Sequence, residues 1–162
     1  MKTNMEINQY NPQGFKDGYW EEYDHKGNIW AKGNYDNGVM NGTWEYYYPS
    51  KKLKIIGQVK NNEPHGEWKH YNDDGKISSI VSYKNGIEHG LWKKFYSNGE
   101  VSEEGIYING YKEKIWMEYY PNGRCRCSGA YKRGVRVGEW IFYKKNGKIS
   151  VIKNYGDYEK EL

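Results

Sequence analysis

The sequence predicts an all-β protein, an elongated single-layer antiparallel meander of about six 24-residue β-hairpin repeats. Three observations predict it. Trp20, Trp44, Trp68, Trp92, Trp116 and Trp140 fall 24 residues apart. An aromatic follows each by three positions: Tyr23, Tyr47, Tyr71, Phe95, Tyr119 and Tyr143. A glycine stands two positions ahead of five of them (Gly18, Gly42, Gly66, Gly90 and Gly138), and Lys114 takes that place in the other copy.

From the N-terminus, residues 1–17 read as a capping half-repeat. Gly14 and Gly18 sit 24 positions before Gly38 and Gly42, and Ile7–Tyr10 read as a first strand that covers the edge of the sheet. Residues 18–162 read as a single repeat domain of six repeats, opening at positions 18, 42, 66, 90, 114 and 138. Each repeat has a first turn signal, such as Asn98-Gly99 or Asn122-Gly123. Five have a second, such as Asn37-Gly38 or Asn109-Gly110. Asn-Gly tolerates positive φ and marks hairpins. The segments between are rich in Tyr, Trp, Ile and Val, which favour strands, and no window carries a helical apolar period.

The turn type decides which side chains share a face, and two registers stay open. A two-residue type I′ first turn would set Trp44 opposite Gly57 and Trp92 opposite Gly105, covering each glycine with an aromatic across the pair. A three-residue loop with a glycine bulge would set Tyr119 beside Cys125 and move Trp116 to the other side; Pro121 ahead of Asn122-Gly123 favours it. In both, Trp and the aromatic three later have opposite parity, so aromatics reach both faces.

Leu, Ile, Val and Phe supply only 26 of 162 residues, a level at which disorder is suspected. The 18 Tyr and 7 Trp oppose that reading, because aromatics can replace an aliphatic core. The two cysteines, Cys125 and Cys127, are too few for a disulfide scaffold and read as small fillers. No signal-peptide stretch or transmembrane run is visible, which makes a cytoplasmic location the expectation.

The segments Gly90-Leu91-Trp92 to Tyr96-Ser97-Asn98-Gly99 and Gly105-Ile106-Tyr107-Ile108-Asn109-Gly110 resemble MORN repeats in their bacterial variant form, over about residues 14–156. The resemblance implies a curved single sheet. It also implies a non-catalytic interaction or scaffold role, because bacterial variant proteins are often labelled antitoxins and eukaryotic MORN repeats are linked to phospholipids and scaffolding. Several positions depart from the pattern: Lys51-Lys52, Asn62, Val81 and Lys153 replace repeat glycines or their neighbours.

No nucleophile–base constellation, phosphate loop or metal-ligand spacing emerges, so the expectation is no enzyme, no cofactor and no catalytic or metal residues. His65 and His89 share a phase without a third member and read as loop histidines. Charge is uneven. Residues 112–153 hold eleven basic residues against Glu113, Glu118 and Glu139, and all four arginines lie there: Arg124, Arg126, Arg133 and Arg136. These four are the candidate partner- or anion-binding residues, with Arg124 and Arg126 expected on one face. The twelve repeat aromatics are candidate structural residues. The expected partner is a protein of unstated identity, with anionic membrane lipid as the alternative. Nucleic acid is disfavoured at a net charge of only +4.

Overall fold

Each period folds as it does because its two turns differ. The structure, a computed structural model, describes residues 6–157, so the outer limits of the expected domains (1–5 and 158–162) lie outside the described residues. It contains β1 (Gln9–Tyr10), β2 (Lys16–Tyr23), β3 (Ile29–Asp36), β4 (Val39–Tyr47), β5 (Leu53–Lys60), β6 (Glu63–Tyr71) and β7 (Ile77–Lys84). There follow β8 (Ile87–Phe95), β9 (Val101–Ile108), β10 (Tyr111–Tyr119), β11 (Cys125–Lys132), β12 (Val135–Tyr143) and β13 (Ile149–Asn154). The strands take chain order in one antiparallel sheet. No helix among the described residues is long and apolar enough to cross a membrane. The first strand is shorter than Ile7–Tyr10: only Gln9 and Tyr10 pair with β2.

The Asn-Gly turns between β3 and β4 and between β9 and β10 are two-residue turns with both residues at positive φ (Asn37 49°, Gly38 83°; Asn109 52°, Gly110 80°). That is type I′ geometry, and Arg133-Gly134 adopts it too (49°, 81°). The other turn is wider. Gly123 N–H donates to Tyr120 O (2.9 Å) and Tyr120 N–H to Arg124 O (2.8 Å), with Pro121 and Asn122 between and Gly123 at φ 75°. This is a type I turn closed by a glycine bulge, as Pro121 favours.

The two registers treated as exclusive in the sequence coexist. Tyr119 pairs with Cys125, yet Trp116 pairs with Gly129, because the register shifts between Glu118 and Tyr119. Glu118 pairs with Cys127, so Arg126 is the extra residue of a bulge. Trp44 and Gly57 are likewise Cα partners, as are Trp92 and Gly105.

The expectation that Trp44 covers Gly57 is corrected. The ring against Gly57 is that of Trp68, from the strand on the other side. A second irregularity explains it. Between β3 and β4 the register jumps from Lys32–Glu45 to Asn34–Asn41, leaving residues 42–44 opposite Gly33. Gly42 bends there at φ 79°, which turns the next indole back over the preceding strand.

The chain divides into two compact units, residues 1–76 with 83–86, and residues 77–82 with 87–162. In the first, the core is Ala31, Trp44, Val59 and Trp68, with Tyr35, Tyr46 and Tyr83 packed against it. In the second it is Trp116, Cys127 and Trp140, with Trp92, Tyr107, Tyr131 and Phe142 around it. Both rims of the second unit are also zipped by hydrogen bonds. Gly134 N–H donates to Lys112 O (3.0 Å) at one, and Tyr120 Oη donates to Tyr143 O (2.7 Å) at the other.

Candidate functional site

One face of each unit is filled by indoles. A Cβ on Gly33, Gly57, Gly105 or Gly129 would stand closer than 3.0 Å to Trp44, Trp68, Trp116 or Trp140 respectively. The indole N–H groups of Trp20, Trp68, Trp116 and Trp140 donate to backbone carbonyls of Gln9, Gln58, Ile106 and Ala130. Trp92 departs from this pattern. Val81 stands where those glycines stand, and Trp92 is only half-buried. The repeat tryptophans thus act as packing.

The aromatics three positions later sit on the opposite face, where Tyr23, Tyr47 and Tyr119 donate to Glu21, Glu45 and Glu104. Lys93, 2.8 Å from Glu104, and the Tyr119 hydroxyl hold the Glu104 carboxyl below its usual range. Burial and the Glu104 carboxylate push the Tyr119 phenol up. Tyr71 and Tyr143 accept, through their carbonyls, the hydroxyls of Tyr48 and Tyr120, while Phe95 pairs with Val101. In the first unit this face has a hollow of about 260 Å³ lined by Tyr23, Ile29, Lys32 and Tyr47.

A cation rests on the indole face at one phase. Lys16 Nζ lies 4.4 Å from the Trp20 ring, Lys112 Nζ 3.9 Å from Trp116, and the Arg136 guanidinium 4.1 Å from Trp140. Arg136 also donates to the Tyr131 and Tyr155 hydroxyls (both 3.3 Å) and to Glu118 Oε1 (3.5 Å). Arg126 Nη2 donates to the other oxygen of Glu118. Two guanidinium groups therefore share one carboxylate, and Arg126 stays half-exposed.

The structure does not gather all four arginines. Arg124 precedes β11 and donates to Lys145 O (3.2 Å). Arg133 follows β11 in its type I′ turn, with its guanidinium 5.8 Å from the Tyr111 ring. At about 3.3 Å per residue the strand between them sets these two roughly 25 Å apart. A sequence cluster that spans a whole hairpin is drawn out along it.

The histidine phase has a structural use. Asp17, Asn41 and Glu113 accept the turn N–H groups of Asn37, Asn61 and Arg133 (2.9–3.1 Å). His65 in β6 and His89 in β8 occupy that phase, in strands and not in the loops expected, and each Nδ1 is buried without a hydrogen-bond partner.

Sequence reasoning missed an apolar surface on the tyrosine face of the second unit. Leu91 pairs with Ile106, Met117 with Glu104 and Ser128, and Ile141 with Ser128 and Ile152. Leu91, Ile106, Ile115 and Met117 line one shallow hollow. The signal lay in comparing phases: Thr43, Gln58 and Glu45 hold the places of Leu91 or Ile115, Ile106 and Met117 in an earlier repeat.

A family model described as MORN repeat variant matches residues 16–37, 40–61, 64–85, 88–109 and 136–157. The unmatched stretch between the last two segments contains Lys114, Arg124, Arg126 and Arg133. No curated protein matches the chain.

Proposed function

The chain belongs to the MORN repeat variant family, and from that premise we propose that it presents its second unit to an acidic protein partner, as an antitoxin or immunity protein does to a toxin. Repeats of this family are binding and scaffolding modules without enzymatic activity. The observation that carries the reading is the pair Arg126 and Arg136 on Glu118. One guanidinium is fixed over Trp140 and the other reaches solvent. Arginine on a rigid aromatic bed is the composition of binding hot spots, and preorganisation lowers the cost of docking. A bacterial cytoplasmic setting, with residues 1–17 as cap and 18–162 as one repeat array, completes the proposal.

The test is recovery of a stoichiometric partner from the source cell with the full chain as bait, repeated with Arg126→Glu. The reading expects a partner whose capture falls at least about tenfold in the variant. Absence of any stoichiometric partner sinks it. The second reading is peripheral binding to anionic membrane, favoured by Arg124 and by Lys144, Lys145 and Lys148 near the same turn rim. It expects binding to phosphatidylserine vesicles that weakens with salt and is abolished by charge reversal of the four arginines.

A further inference from the structure

The two faces of the second unit differ in what they leave uncovered. The indole face is filled. The tyrosine face carries Leu91, Ile106, Ile115, Met117, Ile141 and Ile152, joined through register partners across β8 to β13. Leu91 is 58% exposed, Ile115 55% and Ile152 50%. Corresponding positions in the first unit include Thr43, Gln58, Glu21 and Lys32, which suit solvent, with Tyr19 and Ile56 their less polar members.

We propose that this face is the interface between two copies of the chain. Area is the first argument. At roughly 80–100 Å² for each half-exposed side chain, Leu91, Ile115, Met117 and Ile152 present about 350 Å² of apolar surface, and the less exposed Ile106 and Ile141 add about 100 Å², for about 450 Å². Tyr111 and Val135, exposed on the same face by alternation along their strands, raise this to about 600 Å². A homodimer interface of standard size takes about 800 Å² from each partner, about 65% of it apolar, or roughly 500 Å². The patch matches that share and reaches the upper end of what a monomer ordinarily leaves open.

Charge is the second argument. Lys93 and Glu104 pair with each other at 2.8 Å, and Tyr119 donates to Glu104, so these two charges beside Met117 are already neutralised. Glu139, exposed two residues before Ile141, is the carboxylate that a two-fold axis must keep away from its own copy. An anionic membrane or nucleic acid would instead require unpaired cations there. Two sheets packed face to face about 10 Å apart would bury these side chains by interdigitation. The inference does not depend on which partner the arginines take.

Sedimentation equilibrium of the purified full chain tests it. The expected mass is twice 19.2 kDa. Leu91→Glu with Ile115→Glu should weaken dimerisation at least about 100-fold, with the circular dichroism spectrum unchanged. If that pair fails to fold, Leu91→Ala with Met117→Ala should weaken it about tenfold. Thr43→Glu, at the Leu91 phase in the first unit, should leave the dimer intact. A wild-type chain still monomeric at about 100 μM overturns the proposal. So does a dimer indifferent to both pairs, or a monomer whose patch is taken by a different protein or by vesicles.

Discussion

Trp68 occupies the space that a side chain on Gly57 would need: its ring atoms Cγ, Cδ2 and Cε2 all lie within 3.0 Å of where a Cβ would stand. The glycine is there for close approach, because its φ lies outside the left-handed region. Gly57→Ala must push the indole off the strand. The expected loss is about 2–3 kcal/mol of unfolding free energy, read by urea denaturation. A loss below about 0.5 kcal/mol would contradict the packing described.

Lys114 should respond in the opposite sense. It holds φ 60° at a bend where the other repeats place Gly18, Gly42, Gly66, Gly90 and Gly138. A left-handed conformation costs an L-residue roughly 1–2 kcal/mol, partly offset by the greater freedom of glycine in the unfolded chain. Lys114→Gly is expected to stabilise the protein by about 0.5–1 kcal/mol, measured by thermal unfolding.

Val81→Gly should bury Trp92. Valine occupies the place where a glycine would admit the indole, and Trp92 is less buried than the other five repeat tryptophans. Removing the side chain opens that space. Trp92 and Trp30 are the more exposed tryptophans, so in Val81→Gly the total tryptophan emission should shift to the blue and its quenching by acrylamide should fall relative to the unsubstituted chain. Unchanged quenching would mean that something other than Val81 holds the ring out.

Acid should destabilise the fold through Glu21 and Glu104. Both carboxyls are held below their usual range: Glu21 first by the Tyr23 hydroxyl and then by Lys32, Glu104 first by Lys93 and then by Tyr119. A lowered folded-state pKa means that the stabilisation is fully present above the unfolded value, about 4.3, and disappears as pH falls below it. Glu104→Gln should flatten the stability profile between about pH 5 and 3, followed by urea midpoints. At the alkaline end, burial and Glu22 push the Tyr35 phenol up to about 12. Its contribution holds below the unfolded value near 10 and disappears as pH rises from about 10 to 12.

The repeat was legible because its tryptophan, glycine and turn positions recur at one period, which also gives the strand order. Asn-Gly marked where turns fall but not their type: Asn37-Gly38 and Asn109-Gly110 form type I′ turns, whereas Asn98-Gly99, Asn122-Gly123 and Asn146-Gly147 lie in the wider turn that Pro121 favours. Which indole covers which glycine was not legible. That depends on the bend at Gly42 and its equivalents, and alternation along an ideal strand carries no trace of it. The arginines misled for a related reason: adjacency in sequence is not adjacency along a hairpin, and Arg126 lies in a bulge that joins it to Arg136 through Glu118. The apolar face escaped because the register shifts on both sides of β10 decide which residues of neighbouring strands share it, and the sequence left that register open.

The span from each sheet glycine to its covering indole is eleven residues, as from Gly57 to Trp68 or Gly105 to Trp116. A ribosome adding about 5–20 residues per second delivers that indole within about two seconds of the glycine. Each hairpin can therefore be closed by the one synthesised just after it, and the growing chain exposes little more than one unfinished strand at a time. Such a protein can pack in the order of its synthesis, and loss of one of these tryptophans would leave the glycine eleven residues before it uncovered.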